Sequence, residues 1–241
     1  MRRRRTGAAS PISHPSIELA LSAMAAEDLR ALVLELVPLL PHQHRALWVD
    51  TALDRAARRS GAATVGPQVE EIERCLAAIA AAKARGSEDP ATVDAMLLRA
   101  KCAFLAREFT VAALLFRAVL VPVCNAEFDL GQDECVFEVL GVDLTRSAAE
   151  AAVSLYWTSD PNDRARVILE LFDELGAEAN PRVPLRDLEE VAREPLPQFD
   201  EFLREWSSLL EARVATGRDD QRRYLAERWL VEARERGFSA S

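Results

Sequence analysis

Apolar residues return at the helical period along almost the whole chain, and that rhythm restricts the fold more than any other feature. Leu29, Leu32, Val33, Leu36, Val37 and Leu40 keep the i, i+3, i+4, i+7 spacing of a single buried face. The spacing recurs in Val69, Ile72, Leu76 and Ile79, and again in Val167, Ile168, Leu171, Phe172 and Leu175. Two further stripes run through Phe199, Phe202, Leu203, Trp206, Leu209, Leu210 and Val214, and through Leu225, Ala226, Trp229, Leu230 and Ala233. Each predicts a helix with one face to bury. Strands need β-branched and aromatic residues and frequent glycine turns, and this chain has nine glycines and 6% aromatics.

Helix boundaries are written in the punctuation. Pro41 closes the first helix, and a second follows through "HQHRALWVDTALDRAARRSG", where Leu47, Trp48 and Leu53 are expected to point inward. Arginines and then Gly61 end it, as basic residues and glycine do at helix C-termini. Pro67 opens the next helix, and Asp89 followed by Pro90 reads as an N-cap and first helical residue. Roughly ten to twelve helices with short polar links are predicted. The fold class is therefore all-α, with stacked antiparallel hairpins arranged as an α-solenoid or as an irregular helical bundle.

Two stretches break the rhythm. In "VCNAEFDLGQDECVFEVLGVDLT" the periodicity weakens, and "CVFEVLGVDL" fits a short strand as well as a turn and a half of helix. "GAEANPRVPLRD", with two prolines, reads as a hinge or domain boundary. The expected organisation is a disordered basic tail over residues 1–15, a main helical domain over 16–178, and C-terminal helices over 179–241, packed on that domain or forming a small second unit. Arg2 to Arg5 resemble the n-region of an export signal, but Pro11, His14, Pro15 and Glu18 interrupt the apolar region such a signal needs.

The segment "LLRAKCAFLAREFTVAALLFRAVLVP" reads as two helices folded back on each other. Ala100 and Ala112 are small residues at the crossing, and Phe109 and Phe116 fill the volume beside it. The pattern resembles one tetratricopeptide-repeat unit over Leu97 to Pro122. Arg107 and Glu108 stand where that family usually has a turn glycine, Val119 replaces a small residue, Pro122 comes early, and no second copy lies about 34 residues away. The resemblance implies repeat-like packing and a protein-binding function.

Charge and motif content narrow the function classes. A net charge of -9 opposes binding of the whole molecule to phosphate backbones, which requires many cations. No stretch approaches the roughly 20 apolar residues of a spanning helix. Cys75, Cys102, Cys124 and Cys135 lack CxxC spacing and read as buried thiols of a reducing, cytoplasmic protein. His42 and His44, two residues apart, point to different helix faces and have no further ligand at a metal-binding spacing. "FDLGQDE" lacks the ligand order of a calcium loop. Glu70 with Glu71, and Glu189 with Glu190, have no His or Lys beside them to shift a pKa. No cofactor or metal is expected.

The expectation is a non-catalytic adaptor whose partner is another protein, unidentified by sequence. Its candidate contact residues are Glu127, Phe128, Asp129, Asp133 and Glu134 in the irregular acidic stretch, with the adjacent aromatics Tyr156 and Trp157. The alternative is a nucleic-acid-associated regulator using Arg2 to Arg5 and Arg218, Arg222, Arg223, Arg228, Arg234 and Arg236. The third is a hydrolase whose site joins distant residues around a perturbed carboxylate or Cys.

Overall fold

A computed structural model describes residues 24–60, 66–131, 139–176, 183–216 and 219–236. Ten α-helices account for most of them, and no strand occurs among the described residues. The expected basic tail at 1–15, Cys135, and the Asp133 and Glu134 candidates lie outside that set. So do residues 135–138, the first four of "CVFEVLGVDL". The chain divides into two compact units, Met1–Pro41 and His42–Ser241.

In the first unit α1 (Ala26–Leu36) leads into a 3-10 turn, Val37–Leu39, containing Pro38. The second unit contains α2 (His42–Ser60), α3 (Val69–Arg85), α4 (Pro90–Leu105), α5 (Phe109–Cys124), α6 (Leu144–Thr158), α7 (Arg164–Glu174), α8 (Leu185–Ala192), α9 (Phe199–Thr216) and α10 (Asp220–Glu235). The caps follow the sequence in part: Pro67, expected to open α3, lies outside it, because the helix begins at Val69 behind its N-cap Gln68. Asp89 accepts from the Ala91 amide at 2.9 Å ahead of Pro90, Gln68 and Glu71 form a capping box on α3, and Gly86 ends α3 at φ +74°.

α5 and α6 form the middle of the second unit. α5 packs on α3, α4 and α6, and α6 also meets α7 and α8. α6 achieves this through Ala148, Ala149, Ala151 and Ala152, all buried, because alanines let helix axes approach closely on several sides. Ala100 and Ala112 are fully buried in the α4–α5 hairpin, where the Phe104 and Phe109 rings meet edge to face at 5.8 Å. Pro122 does not close α5: the helix continues to Cys124, so the bond that its missing amide cannot donate lies in the last turn.

Aromatic rings join α6, α7, α9 and α10. Tyr156 meets Phe202 at 5.2 Å, Phe202 stacks on Trp206 at 5.6 Å, and Trp206 lies 5.5 Å from Trp229, which stacks on Phe172 at 5.2 Å. Arg213 closes the same helices with a bidentate pair to Asp173 at 2.7 and 2.6 Å. Trp206 is completely buried and its indole nitrogen has no protein partner. Trp206→Ala is expected to cost about 3–5 kcal/mol in urea unfolding. Trp206→Phe should cost clearly less, because it forfeits no hydrogen bond and keeps the ring in the stack.

Candidate functional site

The residues expected to contact a partner separate into two groups. Phe128 is buried, and Tyr156 is buried with its hydroxyl donating to the Pro197 carbonyl at 2.7 Å. Both are spent on the fold. A partner could reach either ring only by opening the core. Glu127 is exposed and pairs with Lys83 at 2.6 Å, while the Asp129 carboxylate accepts from the Gly131 amide at 2.7 Å. Trp157 is half-buried, stacks on Phe109 at 5.8 Å, and lies beneath the Arg107 guanidinium. The structure does not bring the acidic loop and this aromatic stack into one described surface.

Arg107 explains the missing turn glycine. Its φ of +65° is the left-handed backbone that glycine normally supplies. The arginine instead uses that geometry to place its guanidinium over Phe109 and within 2.6 Å of Glu194. Arg193, at φ +62°, ends α8 in the same conformation and reaches Asp54 at 2.6 Å.

The principal polar assembly was not visible in the sequence. α2 does not turn Leu47 and Trp48 inward: they are 51% and 42% exposed, and its inner face carries Ala46, Asp50 and Asp54. The physical reason is Lys101 on α4, 1% exposed and surrounded by carboxylates. Its ammonium donates to Asp50 and lies 3.2 Å from Asp54 and 3.6 Å from Glu150. Arg146 on α6 adds contacts to Asp54 at 2.9 Å and to Glu150 at 3.4 Å. Three anions, Asp50, Asp54 and Glu150, thus face three cations, Lys101, Arg146 and Arg193.

Within this network the pairing is uneven. Arg146 Nε and Nη2 and Glu150 Oε1 sit at ion-pair distances but at angles that form no hydrogen bond. Burial pushes the Glu150 carboxyl up to about 7 despite the opposing pull of Lys101 and Arg146. A neighbouring buried acid, Asp94, is better served, accepting from the Gly141 and Val142 amides at 3.0 Å. His42 and Gln43 donate to the Val139 carbonyl at 3.2 and 2.9 Å, so His42 is tied into the fold and is not simply solvated. A Cβ at Gly141 would lie 2.1 Å from the Gln43 carbonyl oxygen, which is why a glycine stands there.

A cleft of about 130 Å³ between the start of α6 and α8 is lined by Asp143, Thr145, Arg146, Asp187, Glu190 and Val191. Glu150 is buried and is not among its walls. No group of three or more His, Cys, Asp or Glu residues able to hold a metal ion occurs among the described residues. Burial raises the thiols of Cys75, Cys102 and Cys124, the last to about 12, which keeps them protonated and poorly nucleophilic. Of the paired acids, Glu71 caps α3 and pairs with Arg99, Glu189 pairs with Arg236, and Glu190 lies 3.9 Å from Arg58.

The arginines of α10 are largely neutralised by acids. Arg222 and Arg223 pair with Asp219 and Asp220 at 3.4 and 2.7 Å, and Arg234 pairs with Glu211 at 3.3 Å. Arg228 instead lies over the Tyr224 ring at 6.0 Å. No helix among the described residues is long and apolar enough to cross a membrane. Comparisons with family models, with curated proteins and with solved structures returned no match.

The Glu150 shift fixes a sign for pH dependence. Folding raises its pKa from 4.5 to about 7, so the folded state takes up a proton in that interval. This stabilisation is complete below the unfolded value and is lost as pH rises through the folded value. Between pH 8 and pH 6 the group should add about 1 kcal/mol to unfolding stability. Glu150→Gln, compared with the parent in urea titrations at both pH values, is expected to remove that increment.

Proposed function

We propose that this protein is a non-catalytic adaptor that binds another protein through the outward face of α10. The carrying observation is a row formed by Tyr224, Arg228 and Val231. Their i, i+4, i+7 spacing sets them on one helix face. Tyr224 is 49% exposed and Val231 52%, although the opposite face of α10 is anchored by buried Leu225, Trp229 and Ala233. A rigidly seated helix presenting tyrosine, arginine and an aliphatic side chain has the composition of an interface hot spot. The tetratricopeptide-like crossing of Ala100 and Ala112 supports the same class of function by resemblance. The free thiols of Cys75, Cys102 and Cys124 suit a reducing, cytoplasmic setting.

The test compares capture by the full chain and by a Tyr224→Ala/Val231→Asp variant from extracts of the native cell. Both substitutions are exposed, so folding stability should stay within about 0.5 kcal/mol per site. Proteins retained by the parent are expected to lose about tenfold or more in retention on the variant. Equal retention by both forms would remove α10 as the interface.

A further inference from the structure

We infer that α2 is a detachable arm of the second unit, held on α4, α6 and the end of α8 chiefly by ion pairs and polar contacts, with little burial in the apolar core, and that its release is a switch built into the fold. Ala46 is the one α2 residue in the buried apolar core, and no other apolar residue of this helix belongs to the half-buried rim packed on that core, among the described residues. Helices of ordinary domains stay attached by a buried apolar stripe. α2 instead turns Leu47 and Trp48 outward and directs Asp50 and Asp54 to Lys101, Arg146 and Arg193. Its first turn is tied by the His42 and Gln43 bonds to Val139.

The attachment has two tiers that respond differently to solvent. The Lys101–Asp50 pair is sealed, with side-chain exposures of 2% and 8%. Asp54 forms the outer tier with Arg146 and Arg193, each of which is 23% exposed at the side chain. Salt screens partly exposed pairs far more than sealed ones. Because α2 adds little to the apolar core, its departure leaves α4, α5 and α6 packed on one another through Leu97, Leu115, Phe116 and the α6 alanines. Release would uncover a face bearing the three cations Lys101, Arg146 and Arg193 and the two acids Glu150 and Glu190, so the two states differ in surface charge as well as in shape.

Hydrogen–deuterium exchange of the full chain, read by mass spectrometry, decides the matter. From about 0.1 to 1 M sodium chloride the Debye length falls from about 10 to about 3 Å. Over that range α2 amides are expected to lose about tenfold in protection while those of α4 and α5 change less than about twofold. Asp54→Asn should bring the α2 loss to low salt. Two results would overturn the inference: α2 and α4 exchanging in step, or α2 protection indifferent to both salt and Asp54→Asn. Global loss of protection in Asp54→Asn would count against it as well, since the arm would then not be separable, and the salt series on the parent chain decides independently of that variant.

Discussion

A lysine ammonium sealed among three carboxylates is the constraint to which the front of the second unit conforms. Taking charges out of water is expensive, and their mutual attraction recovers the cost only when pairing is close. Lys101 contacts Asp50, Asp54 and Glu150, and Arg146 and Arg193 complete the neutral set. What this arrangement fixes is register. If α2 slid by one residue along α4, Asp50 and Asp54 would leave their partners, and a buried charge stripped of its partner costs about 3–5 kcal/mol. The helix therefore sits where its acids point, and its larger apolar residues go elsewhere.

Behind that polar front the organisation follows size instead of charge. The alanines of α6 bring α5 and α8 close on different sides, and the aromatic chain from Tyr156 to Trp229 fills the space farther back. The end of α8 joins these regions: Arg193 reaches Asp54, while the next residue, Glu194, holds Arg107 over the Phe109 and Trp157 rings. Both arginines occupy left-handed backbone, a conformation that disfavours side chains and is held here by bidentate or short ion pairing.

Much of the helical architecture was legible because its causes are local. The 3.6-residue period and Asp89 before Pro90 act within a few residues, and the helices follow them. The inner face of α2 departs from its pattern for a reason that is equally physical. Its apolar pattern favours Leu47, Trp48 and Leu53 as the inner face, of which Leu53 alone is half-buried, whereas the deciding partners, Lys101 and Arg146, lie 51 and 92 positions beyond Asp50 and Asp54 in the chain. Periodicity reports what a helix prefers to bury, not what another helix has left uncompensated. The acids of the candidate contact loop were visible as a composition break, yet the burial of Phe128 and Tyr156 depended on neighbours that spacing alone does not reveal. The row on α10 was in plain sight as sequence, but it acquired meaning once Leu225 and Trp229 proved to face the other way.

The balanced network also shapes how such a chain could vary. Six positions, scattered from Asp50 to Arg193, share one electrostatic account: a change at Lys101 alone strands its acids, whereas a paired exchange with Asp50 for apolar residues of similar volume restores compatibility. Substitutions there are strongly epistatic, tolerated in sets and rejected singly. The aliphatic positions of α5 face no such rule, because neighbouring hydrocarbons repack without any partner changing sign. The same fold thus holds a region that drifts one residue at a time and a region that moves only by coordinated steps.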